Sequence, residues 1–154
     1  MDMVKVLALI CAAAGAAAGA DFSIQLGNPV AADAKKIDKV KMSVMAVRAQ
    51  GCADPGKATF TGIAVRVTGG KVESATLAFA EGSAPGAFAV IGGWPAANPW
   101  VAVMTAECLG AKAGAVVPVN EQGSYVREAS RFFAHAPTDA EVNAVLKTIT
   151  GGSK

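Results

Sequence analysis

The stretch ATFTGIAVRVTGGKVESATLAFA, residues 58 to 80, constrains the fold of this chain most. Two β-rich runs meet across Thr68-Gly69-Gly70, and glycines supply the positive backbone angles that a tight hairpin needs. In the first arm Ile63, Val65 and Val67 alternate with Arg66 and Thr68, the pattern of a half-buried antiparallel strand whose valine face is expected inside. Leu77 and Phe79 repeat it in the second arm, read as one continuous strand.

The neighbouring sequence supplies partners for this hairpin. VKMSVMAVRA (40–49) precedes it, followed by the turn material GCADPG. After a turn at Glu81 to Gly86 come AFAVIGG (87–93) and WVAVMTAE (100–107), joined by WPAANP. AGAVVPV (113–119) closes the series before a polar turn at Asn120 to Gly123. Pro118 lacks a backbone donor, so this strand is expected to lie at an edge or to end there. With an early strand near Phe22 to Leu26 the count is six to seven, spaced as in a sandwich.

The period changes at the C-terminal end. Thr138-Asp139-Ala140-Glu141 is a capping box after Pro137, and Val142, Val145, Leu146 and Ile149 recur at helical spacing up to Gly151. This predicts a helix, packed on the sandwich or offered to a partner. The preceding YVREASRFF stays open between helix and strand, although Tyr125, Ala129, Phe132 and Phe133 fit one helical face.

The first twenty residues, MDMVKVLALICAAAGAAAGA, have a short charged start, an apolar run and a small-residue end before Asp21. That is the grammar of a cleaved secretory signal (1–20). Val6 to Ala20 is too short and too rich in alanine and glycine for a membrane anchor, which needs roughly 20 strongly apolar residues. Cys11 follows Ile10, which is not the small residue that a lipoprotein cleavage site requires. The expected organisation is therefore a signal (1–20), one sandwich domain (21–136), and a C-terminal helix and tail (137–154).

Without Asp2 and Lys5 the chain keeps 13 of its 14 basic and 11 of its 12 acidic residues, so the net charge stays +2. Nothing there recruits nucleic acid or anionic lipid, and no stable membrane insertion is expected after cleavage. The densest basic run, Lys35, Lys36, Lys39 and Lys41, is interrupted by Asp38 and reads as a solvated edge.

Two cysteines remain after cleavage, Cys52 and Cys108, and in an oxidising compartment pairing is their default. A disulfide there closes a long loop, worth roughly 4 kcal/mol on chain-entropy grounds. A metal thiolate pair or a redox couple has less support: there is no CxxC, and His135 is the only histidine.

Both tryptophans fall between Gly86 and Cys108. Pro85-Gly86-Ala87-Phe88, then Trp94-Pro95, then Trp100-Val101-Ala102-Val103, resembles a pattern of bacterial immunoglobulin-like and transthyretin-like modules, among them exported domains of the YtkA/FixH-like kind. The resemblance covers about forty residues. It departs from the pattern at Asn98-Pro99, which stands where the family has a turn glycine, and at Phe88, which replaces the usual tyrosine. It implies an immunoglobulin-like sandwich. Trp94 follows Cys52 by 42 positions, unlike the close spacing in antibody domains, so an antibody-like topology is not expected. A tryptophan at a strand start can cap the sandwich, burying about 150–250 Å². That reading suits Trp100; Trp94, beside Gly92-Gly93 and Pro95, is open between core and binding surface.

The chemistry of catalysis finds no constellation. His135 in FFAHAPT reads as a capping or surface residue, no spacing singles out a pair among Glu73, Glu81, Glu107 and Glu128, and no phosphate-cradling glycine motif occurs. Met42 and Met45 form MxxM, but an offset of three in a strand sends the side chains to opposite faces. Met104 lies on another strand, and core filling is the simpler role for all three. The sequence therefore predicts a mainly β, antiparallel immunoglobulin-like sandwich with a C-terminal α-helix. Its expected role is that of an exported, non-catalytic binding or scaffolding module, periplasmic or secreted. An envelope protein is its expected partner, no cofactor is expected, and Trp94 and Trp100 are candidate contacts. The alternative is a periplasmic carrier of a metal ion or small ligand.

Overall fold

A computed structural model describes residues 22–28, 44–82, 84–94 and 98–151. The expected signal with Cys11, the basic run Lys35 to Lys41, Met42 and Pro95 lie outside them. Among the described residues nine strands form two antiparallel sheets. The first sheet runs β1 (Ser23–Gly27), β2 (Met45–Gln50), β6 (Ala87–Ile91), β5 (Ala78–Glu81). The second runs β4 (Lys71–Thr76), β3 (Thr59–Thr68), β7 (Trp100–Cys108), β8 (Ala111–Val119), β9 (Arg131–Phe133).

Lettered in chain order, these sheets are A-B-E-D and C′-C-F-G, the connectivity of an immunoglobulin-type sandwich with an added final strand. This corrects the expectation drawn from tryptophan spacing. The strand order does not depend on where the tryptophan sits, and here Trp100 starts strand F whereas Cys108 ends it.

The core between the sheets takes Leu26, Met45, Val47 and Val90 from one side and Trp100, Met104, Val117 and Val119 from the other. Strand β7 is buried on both faces. Trp100, Ala102, Met104 and Ala106 point to the opposite sheet, and Val101 points to the outer face with Val65 and Val116. That outer face is covered by α1 (Asp139–Gly151), whose Val145 and Leu146 are buried on Val65, Val101 and Val116. The helix starts at the expected capping box. The Thr138 N–H donates to Glu141 Oε1 at 2.8 Å, and the Glu141 N–H donates to Thr138 Oγ1 at 3.3 Å.

Two expectations about the hairpin are corrected. The inward face of β3 carries Phe60 and Ala64, whereas Ile63, Val65 and Val67 lie on the outer face. Only Val65 is buried there; Ile63 and Val67 stay 42% and 38% exposed. The second arm is also not one strand. Lys71 to Thr76 pair with β3, the Leu77 N–H donates to the Gly62 carbonyl at 3.1 Å, and from Ala78 the chain pairs with β6 in the other sheet. Leu77 is buried at this crossing, filling the sandwich edge where the strand changes sheets.

Strand β8 ends one residue after Pro118, as expected. It is not the sheet edge, because Gly114 to Val116 pair with β9. In YVREASRFF a 3-10 turn (Arg127–Ala129) leads into β9, so Phe132 and Phe133 diverge to opposite faces instead of sharing a helical one.

The β7–β8 hairpin turns through Leu109 (φ 51°) and Gly110 (φ 87°). Leucine is strained in the left-handed region, and its side chain there is exposed. Leu109→Asn is expected to raise stability by about 0.5–1 kcal/mol, read as a higher denaturation midpoint at unchanged slope.

Candidate functional site

The sequence singled out two places, and the fold sets them at opposite ends of the sandwich. Cys52, just beyond β2, and Cys108, the last residue of β7, have their sulfurs at bonding distance with Cα atoms 5.9 Å apart. This joins strands B and F, as in antibody domains, but at their ends. At the other end Trp100 is 1% exposed, and Trp94 meets it edge to face with centroids 6.2 Å apart. The Arg66 guanidinium lies 4.2 Å over the Trp94 ring and donates from Nε to Glu73 Oε1 at 2.8 Å. Trp94 is half-buried, between a tryptophan edge and a cation.

Hydrogen bonds from Arg66 and Thr68, with the Arg66 charge beside them, hold the Glu73 carboxyl below its ordinary range. This contact is therefore formed at and above the usual carboxylate range and is lost only as pH falls through the lowered value.

Of the methionines weighed as metal ligands, Met45 and Met104 are fully buried in the core, and Met42 lies outside the described residues. Among the described residues no cluster of three or more His, Cys, Asp or Glu side chains could hold a metal ion. His135 is exposed beside the helix start, with Nε2 at 3.5 Å from Glu141 Oε2 and its ring stacked on Phe133. No helix among the described residues is long and apolar enough to cross a membrane.

A third place was not legible as a site. At the disulfide end an open cleft of about 620 Å³ lies between the loop carrying Pro55 and Gly56 and the turn carrying Pro85 and Gly86. Its aromatic wall is Phe60 of β3, Phe79 of β5 and Phe88 of β6, with centroids 5.7 Å (Phe60–Phe79) and 5.2 Å (Phe60–Phe88) apart. Phe79 and Phe88 are half-buried, so their rings reach the cleft. The motif Pro85-Gly86-Ala87-Phe88 helps build it: Gly86, at φ 78°, packs tightly on Pro55, and Phe88 enters two residues later.

The cleft also runs along two strand edges with which, among the described residues, no strand pairs. Gly62 turns its carbonyl toward β4, and alternation gives Phe60 the same direction, beyond the point where β4 has left the sheet. In β5 the Gly82 N–H donates to the Ala87 carbonyl at 2.8 Å, so Ala80 and Ala78 also face β6, and Phe79 turns its backbone outward. Aromatic side chains and outward main-chain groups thus line one groove, a combination suited to an extended peptide. The three phenylalanines sit on separate strands 28 positions apart at the extremes, and no local spacing links them.

Comparison of the chain with protein-family models, with curated proteins and with solved structures gives no match.

Proposed function

We propose that this protein is an exported, non-catalytic β-sandwich that binds a protein partner in the bacterial envelope and takes an extended segment of it in the Phe60–Phe79–Phe88 cleft. The observation that carries this reading is the aromatic cleft flanked by outward main-chain groups of Phe60 and Phe79. Strand addition supplies affinity through the main chain and selectivity through a side-chain pocket. Export is supported by the leader grammar of residues 1–20 and by the Cys52–Cys108 bond, a linkage that persists in oxidising compartments.

Gly56 offers a clean test. It lines the cleft, and a Cβ built there meets nothing closer than Asp54 Oδ1 at 3.7 Å. Gly56→Arg should keep the melting temperature of the parent while capture from the envelope fraction falls about tenfold, since a long side chain then occupies the space that the partner's segment needs. Amide exchange at Phe60 and Phe79 should slow in the captured complex. Equal capture by Gly56→Arg and parent, with unchanged exchange at both residues, rejects the cleft as the binding site.

A further inference from the structure

Strand β4 is the outermost strand of its sheet, and five of its six residues are exposed. The two-residue turn Gly69-Gly70 is closed by Thr68 and Lys71, a pair that exchanges backbone hydrogen bonds in a tight hairpin. Alternation then directs Lys71, Glu73 and Ala75 toward β3, in agreement with the inward bond from Leu77. Val72, Ser74 and Thr76 therefore turn their N–H and C=O groups outward. Among the described residues no strand pairs with that edge.

The edge has few of the features that keep exposed strands apart. It contains no proline, its ladder with β3 runs without a bulge, and its two charges are of opposite sign. On the outer face Val72 is 66% exposed, directly opposite Val67. Val67 and Val72 form an exposed apolar pair at this end of the face, separated from the exposed Ile63 by Val65, which α1 covers.

We infer that β4 pairs antiparallel with β4 of a second copy of this chain, with the two-fold axis at Val72, joining two five-stranded sheets into one. The charges select this occupant and this register. With the axis at Val72, the outward groups of the two Val72 residues meet as a hydrogen-bonded pair. Lys71 of each copy then stands opposite Glu73 of the other, giving two ion pairs on one face and a valine pair on the other. An axis at Glu73 sets two carboxylates face to face, which is destabilising. An axis at Ser74 places Val72 against Thr76 and leaves both charges opposite uncharged residues. Glu73 keeps its bond to Arg66 in the pair, since an ionised carboxylate has about four acceptor positions. The overlap is short, which makes this a weak and transient association. It is independent of the cleft.

Sedimentation of the exported chain up to about 1 mM, a range suited to weak interfaces, should show a reversible monomer–dimer equilibrium. Lys71→Glu and Glu73→Lys should each weaken it by about tenfold, because like charges then oppose one another. An equimolar mixture of the two variants should recover dimer, since both cross-strand pairs are again opposite in sign. Covalent trapping gives a second readout that does not depend on Glu73. The Cα atoms of a hydrogen-bonded antiparallel pair are about 5.5 Å apart, within disulfide reach, so Val72→Cys should cross-link on oxidation faster than Ser74→Cys. A parent chain that stays monomeric throughout overturns the inference. So does a mixture no more dimeric than its components, or faster linkage through Ser74→Cys.

Discussion

Trp100→Ala is expected to destabilise the fold by about 3–5 kcal/mol, the range for large aromatic truncations in a packed core. The indole is almost wholly buried at the start of β7, between the sheets, and Trp94 leans on it edge to face. The backbone has been shaped around it: Gly93 adopts φ 80°, and a Cβ there would overlap the Trp100 ring. Neighbouring groups so placed close only part of the space left by alanine, and the remaining cavity accounts for the upper part of the range. Trp94→Ala should cost less, about 1–2 kcal/mol, because it removes a half-buried ring, one aromatic contact and the Arg66 stack. Denaturant unfolding of both variants checks the order. A smaller loss for Trp100→Ala than for Trp94→Ala contradicts this account of the sandwich end.

The contrast between the tryptophans shows what kinds of information a sequence carries. Trp100 was legible as a strand-start cap because it opens the β-rich run Val101 to Val103. The role of Trp94 depends on Arg66, 28 positions away on another strand, and nothing local announces that contact. The hairpin arm is a sharper case. Alternation identified β3 and separated its two faces, yet assigned the wrong one to the interior. Both faces of this sheet are partly covered, the inner by the opposite sheet and the outer by α1, so the more apolar set went to the helix side. Small Gly62 and Ala64 line the inner side because Met104 and its neighbours already fill that space.

The sheet change at Leu77 was hidden for a related reason. A crossing strand keeps its alternation, and no glycine or proline marks the place where its hydrogen-bond partner changes. The C-terminal helix, in contrast, was legible to the residue at its start, since a capping box is a local exchange of two hydrogen bonds. The phenylalanine cleft lies at the other extreme. It exists only after β3, β5 and β6 have been assembled from two sheets, so the motif at Pro85 to Phe88 pointed to a strand and not to a groove.

Replacing both Cys52 and Cys108 by alanine is expected to lower stability by about 2–5 kcal/mol. The bond spans 56 positions, and in the chain-entropy account most of its effect comes from restricting the unfolded chain. Its native-state effect is local and falls on the cleft. Cys108 is anchored at the end of the central strand β7, and Cys52 begins the loop that carries Pro55 and Gly56 along one lip. That lip rests on Gly86 of the opposite lip, where any side chain would crowd Pro55. Without the bond the loop from Gly51 to Ala58 retains this contact, its 3-10 turn and the buried Ala58, but has lost its covalent tie to the sheet. Amide exchange in this loop should therefore accelerate more than the global loss of stability requires, while exchange around Trp100 should follow the global change alone. Capture of the envelope partner should weaken in the same variant, because a loosened lip must be ordered again on binding. Uniform acceleration across the domain, with capture unchanged, would show that the bond acts on the unfolded chain only and that the lip is held by its packing.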